Sequence, residues 1–170
     1  MIKYYIPKRP RILFVGINPH FGSFSRGVPF SNNKTFWYLL SRAGVIREDR
    51  EFLRSDKNLR KVYRNVDKKY NIGFVNIVDR PTRNVADLKK DEEKKGARRL
   101  LKIITSRRPN IVCFIGKITF LKFAGKKTAE YGNHGRIGSS ILYVMRFPIR
   151  GPSSVRVDEL RLVDSLSRKS

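Results

Sequence analysis

The sequence predicts an α/β fold built on a short, mainly parallel sheet. Four segments are apolar throughout and rich in β-branched residues: "RILFVGIN" (11–18), "NIGFVNIV" (71–78), "NIVCFIG" (110–116) and "SILYVMRF" (140–147). Each is too short for a buried helix and too continuous for a strand with one wet face, which is the pattern of strands covered on both sides. The stretches between them carry helical periodicity, and alternation of strand and helix makes a parallel sheet. A chain of 170 residues with 40% hydrophobic content is the size of one domain, so 1–170 is read as a single unit.

Taken in order, "MIKYYIPKRP" (1–10) is basic, lacks an apolar stretch of signal-peptide length and is read as a flexible end of an intracellular protein. The first strand ends in Gly16-Ile17-Asn18-Pro19 and gives way to a Gly/Ser-rich loop. "NKTFWYLLSRAGV" sets Phe36, Leu39, Leu40 and Ala43 on one helical face, and 47–71 is a charged connector with helical content. After the second strand, "DLKKDEEKKGARRLLKIITSRR" alternates a charged face with Leu88, Leu100, Leu101 and Ile104; "KITFLKFAG" is a shorter helix behind the third strand. "GPSSVR" (151–156) reads as a loop after the fourth strand, and "VDELRLVDSLSRKS" as a closing amphipathic helix that frays over 165–170.

Charge narrows the function. Lys and Arg number 38 against 14 Asp and Glu, a net charge of +24 that repels itself unless a polyanion is the usual partner, and nucleic acid leads that class. No apolar run is long enough to span a bilayer, so no membrane partner is expected. The one cysteine, Cys113, sits inside a strand and excludes an intrachain disulfide or a multi-cysteine metal site. His20 and His134 have no helical i, i+4 partner of ligand type, so no metal is expected. In parallel α/β sheets ligands bind beyond the carboxyl ends of the strands, where Asn18, Asn76 and 151–156 all lie.

Five ordered blocks, "FVGINP", "GVPF" with "FW", "VDRPT", "GK" and "PSSVR", resemble the mismatch-specific uracil-DNA glycosylase and thymine-DNA glycosylase family of the uracil-DNA glycosylase superfamily, from about Arg11 to Arg161. The resemblance implies a three-layer α/β/α sandwich around a four-stranded sheet. It also implies an enzyme that flips a damaged pyrimidine from DNA and hydrolyses its N-glycosidic bond with no cofactor and no metal.

Under that resemblance Asn18 is the catalytic asparagine. Its amide is too weak a base to take a proton, but its carbonyl can accept from a water and aim it at the sugar carbon. Phe30 matches the aromatic that stacks on the extruded base, and Ile17 and Phe30 offer main-chain donors to it. Ser23 falls where the family keeps a small residue near the pyrimidine edge. Asn76 either hydrogen-bonds the base, helps hold the water, or is a strand-end residue bonded to a loop. Asp79-Arg80-Pro81-Thr82 is expected to be a scaffold turn. His20 stands where the family usually has glycine and either narrows the pocket, meets a phosphate or is an exposed imidazole. Gly151 and Pro152 shape the wedge loop, Ser153 and Ser154 donate to phosphates, and Val155 or Arg156 fills the hole left by the base. "KKGARR" and "GKK" are expected to be solvated faces.

The expected function is a monomeric base-excision glycosylase acting on double-stranded DNA that contains uracil or mismatches, with uracil opposite guanine preferred. The alternatives are the same chemistry on hypoxanthine or on thymine opposite guanine, and a catalytically silent nucleic-acid-binding module of the same fold.

Overall fold

The computed structural model describes residues 1–149 and 151–169; Arg150, which precedes the expected wedge loop, and Ser170 lie outside them. The four expected strands are present: β1 (Ile12–Gly16), β2 (Ile72–Asn76), β3 (Ile111–Ile115) and, with one more strand between, β5 (Ser140–Met145). The added strand is β4 (Gly132–Ile137), antiparallel to β5 at the sheet edge, and the order is β2-β1-β3-β5-β4. The sheet therefore has five strands, not four. "GNHGRI" carries no apolar alternation because it covers an edge and buries neither face fully.

Alternate residues of each parallel strand face opposite layers, as a period of two requires. Ile12, Phe14, Phe74, Cys113 and Met145 face one apolar cluster. It is covered by α2 (Thr35–Arg42), α4 (Asp56–Tyr70) and α7 (Ser153–Ser167). Leu13, Val15, Val75, Phe114 and Val144 face the other, under α5 (Lys90–Arg107) and α6 (Lys117–Ala124). The result is the three-layer α/β/α arrangement.

The charged connector is more than a link. A short α3 (Arg50–Leu53) leads to α4, whose Ser55 accepts from the Asn58 N–H at its start and whose Leu59, Val62, Tyr63 and Val66 are buried at helical spacing. Full burial of such side chains contributes about 1.5–3 kcal/mol each. Gly96, inside "KKGARR", lets α5 lie on the end of β2, since a Cβ there would stand 2.0 Å from the Ile77 carbonyl oxygen.

Residues near both chain ends contact the body of the fold. Ile2 is buried, Tyr63 Oη donates to the Lys3 carbonyl, and Tyr5 packs edge-on against Tyr63. At the other end Arg11 pairs with Asp164 at 2.9 Å, and Asn110 Nδ2 donates to the Ser167 carbonyl. Among the described residues no helix is long and apolar enough to cross a membrane.

Candidate active site

The carboxyl ends of the central strands open into one cavity. β1 and β2 are in register with Gly16 beside Asn76, and pairing runs on past both ends, with Val78 N–H donating to the Ile17 carbonyl. β3 stops next door at Gly116, whose N–H donates to the Met145 carbonyl of β5. Above these ends lies a cavity of about 650 Å³, and Ile17, Asn18, His20, Ser23, Phe30 and Asn76 all line it.

Asn18 is oriented by the turn at 79–82. Its Nδ2 donates to Thr82 Oγ1 at 2.8 Å and to the Arg80 carbonyl at 3.0 Å. A main-chain carbonyl can only accept, so the nitrogen must face that turn, and the two bonds leave Oδ1 as the amide's remaining acceptor. Thr82 is fixed in turn by donating to the Asn84 carbonyl at 2.8 Å. Arg80 is clamped by Glu92 through contacts of 2.6 and 2.9 Å. The Arg80 guanidinium, together with the Lys89 N–H, holds the Glu92 carboxyl down to about 2. The turn is scaffold, as expected, and its Thr82 and Arg80 are also what aim the asparagine.

Phe30 and Asn76 converge over a glycine. A Cβ on Gly16 would lie 2.2 Å from Phe30 Cε1 and 2.6 Å from Asn76 Oδ1, so only glycine permits both to approach the strand end. Phe30 adopts a left-handed backbone (φ 59°), a conformation that non-glycine residues hold only when their surroundings enforce it. Trp37 Nε1 enforces it by donating to the Pro29 carbonyl at 2.8 Å, while the ring packs edge-on against Phe36 at 5.5 Å. Ser23 is buried in α1 (Phe21–Arg26), and its Oγ accepts from the Ser31 N–H, so this hydroxyl holds the far side of the Phe30 loop.

Asn76 is 1% exposed, yet neither its Oδ1 nor its Nδ2 has a hydrogen-bond partner among the described residues. The buried Tyr4 hydroxyl, itself without a bond of good geometry, lies against this amide, and burial pushes that hydroxyl well above its usual range. No loop residue bonds the Asn76 amide among the described residues. Its main chain is held by Arg99, whose Nη2 donates to the Asn76 carbonyl at 2.6 Å while Nη1 pairs with Asp79 at 2.5 Å. Arg99 belongs to "KKGARR", expected to be a solvated face, and nothing in the sequence separates it from its basic neighbours.

The family-model comparison matches residues 2–162 to the uracil DNA glycosylase superfamily. The chain belongs to that superfamily. Its members are DNA glycosylases, hydrolases of base-excision repair, and membership carries a DNA substrate with it.

In this glycosylase-superfamily chain the mouth of the cavity is basic and aromatic. Lys117, first residue of α6, places Nζ 4.3 Å from the Tyr131 ring centroid, and the Arg146 guanidinium lies 4.8 Å from it. His20 caps α1, with Nδ1 accepting from the Gly22 N–H at 3.3 Å, and is exposed. Among the described residues no cluster of His, Cys, Asp or Glu could hold a metal ion.

The segment expected to be a wedge loop differs most from expectation. Ser153, Ser154, Val155 and Arg156 form the first turn of α7, with Gly151 (φ 72°) and the N-cap Pro152 before it. Arg156 is 4% exposed, and its Nε and Nη1 have no partner among the described residues, so it points inward rather than toward DNA. The Val and Arg follow helical geometry because nothing after Pro152 interrupts the periodic run "SSVRVDELRLV".

Proposed function

We propose that the protein is a monomeric DNA glycosylase that extrudes uracil from double-stranded DNA and hydrolyses its N-glycosidic bond with a water held by Asn18. The observation that carries this reading is the commitment of the Asn18 nitrogen to Thr82 and Arg80, which leaves Oδ1 to accept from a water in the cavity. The water oxygen bonds to C1′ as the C1′–N1 pair departs with the base. The uracil leaves as an anion, and the water's surplus proton passes to solvent. Among the described residues the cavity lining holds no carboxylate to take that proton, and His20 Nδ1 is engaged by the Gly22 N–H, so the rate depends on a good leaving group, which favours uracil.

The base stacks on Phe30, a contact worth about 1–3 kcal/mol. Asn76 presents a donor and an acceptor side by side, complementary to the N3–H and O4 edge of uracil, with Ile17 and Ser23 forming the floor near it. Gly151, Pro152, Ser153 and Ser154 offer a helix N-terminus with no acidic residue in its first turn, and Arg42 Nη1 donates to Ser153 Oγ at 3.0 Å. Positive charge and free N–H groups suit a DNA phosphate there. The amide of Asn76 also supports hypoxanthine as a second substrate, since its N1–H and O6 repeat the same edge.

Single-turnover release from guanine·uracil, adenine·uracil and guanine·thymine duplexes tests the reading. Guanine·uracil is expected to be fastest, because a wobble pair costs less to open than adenine·uracil and because thymine carries an extra methyl. Asn18→Ala is expected to lose most of the release while binding duplex as tightly as the wild type. Thymine released faster than uracil, or a near-normal rate in Asn18→Ala, would overturn it.

A further inference from the structure

We propose that Ile149, at the end of a ridge formed by Phe147, Pro148 and Ile149, is the apolar wedge that enters the duplex where the nucleotide leaves. This inference rests on the glycosylase reading and moves the wedge away from Val155 and Arg156. The ridge comes directly off β5, whose last residue is Met145, and all three of its residues line the cavity that contains Asn18. Phe147 anchors it: a Cβ on Gly116 would lie 3.4 Å from Phe147 Cδ2, so the ring rests over the end of β3. Pro148 is buried between its neighbours and fixes φ at the turn. Ile149 projects beyond both, 60% exposed against 45% for Phe147.

The rival segment is poorly disposed for the same task. Val155 is 40% exposed but lies within α7, with its N–H donating to the Pro152 carbonyl, and it does not line the cavity. Arg156 would have to leave a buried position, and Val155 is less exposed than Ile149 and is held on a helical turn away from the cavity. The occupant of the ridge is set by its surroundings. Exposed apolar side chains stand beside Lys117 at the mouth of a cavity in a chain of charge +24. A DNA step that has lost a base offers apolar base faces in the gap and phosphates at its edges, and inserted Ile, Leu or Phe side chains hold such steps open.

The test compares wild type, Ile149→Ala and Val155→Ala on a guanine·uracil duplex, an adenine·uracil duplex and the same uracil strand alone. Ile149→Ala is expected to slow release from duplex about tenfold or more, since holding a step unstacked costs a few kcal/mol. The larger loss should fall on adenine·uracil, with the single-strand rate and the urea midpoint unchanged. Val155→Ala is expected to match wild type on all three. A duplex carrying 2-aminopurine beside the uracil gives a readout that needs no catalysis: its fluorescence should rise on binding wild type and Val155→Ala but not Ile149→Ala. Wild-type duplex rates and fluorescence in Ile149→Ala, equal losses on single and double strands, or a duplex-specific loss in Val155→Ala would overturn the assignment. A wild type that opens the step but releases no base from any substrate would instead overturn the glycosylase reading and leave the wedge in place.

Discussion

Thr82→Val isolates the device that orients Asn18. Valine keeps the shape of threonine and removes only the hydroxyl, which accepts from Asn18 Nδ2 at 2.8 Å and donates to the Asn84 carbonyl at 2.8 Å. Asn18 then keeps one good bond, to the Arg80 carbonyl at 3.0 Å, because the Pro19 carbonyl at 3.5 Å is at the limit of contact. Losing one partner of a part-buried amide costs roughly 1–3 kcal/mol, and the surviving bond places the loss at the low end. Each 1.4 kcal/mol, or about that, is tenfold in rate, so single-turnover uracil release should fall about tenfold. Duplex affinity should not change, since Thr82, although it lines the cavity, is only 7% exposed. Thr82→Ser restores the hydroxyl and should recover most of the rate. The assay is a single-turnover time course on a labelled guanine·uracil duplex, with alkaline cleavage of the abasic product. A wild-type rate in Thr82→Val, or a Thr82→Ser variant as slow as Thr82→Val, would refute the positioning argument.

Gly16→Ala should destabilise the fold by about 1–3 kcal/mol, the usual cost of overpacking, because its methyl meets Phe30 and Asn76. Urea unfolding and single-turnover release measure it, and an unchanged midpoint with an unchanged rate would show that the slot is not tight. The Arg80–Glu92 clamp should make stability pH-dependent. The folded Glu92 carboxyl sits near 2 against an ordinary 4.5. The unfolded chain therefore binds the proton first as pH falls, and the clamp's contribution is full above 4.5 and lost as pH falls through about 2. Melting temperatures stepped down through that range should decline more steeply for wild type than for Glu92→Gln; parallel curves would exclude the clamp.

The residues that hold the site differ sharply in how visible they are in the sequence. Asn18, Phe30 and Asn76 stand at the ends of strands or beside Gly and Pro, where the local pattern already places them at a sheet edge. Thr82, Arg80 and Arg99 act on those residues from 64, 62 and 23 positions away, through hydrogen bonds to main-chain or amide atoms. No local periodicity encodes such a bond, and Arg99 has the same neighbours as the arginines and lysines that face solvent. The connector shows the opposite case: Leu59, Val62, Tyr63 and Val66 have helical spacing that the density of charge around them obscures.

What the sequence by itself determined is the set of elements with strong periodicity and the composition of the core. Continuous β-branched runs can be buried only between two layers, and a charge of +24 calls for a polyanionic partner whatever the fold. Tertiary structure alone decided the fifth strand, the orientation of the Asn18 amide and the burial of Arg156. Each depends on a neighbour remote in sequence: β5 for the edge strand, the 80–82 turn for the amide, and the packing of α7 for the arginine. Exposure separates Arg156, 4% exposed, from Ile149, 60% exposed, because helical pattern fixes which way a side chain leaves its own backbone but not whether another element already covers it.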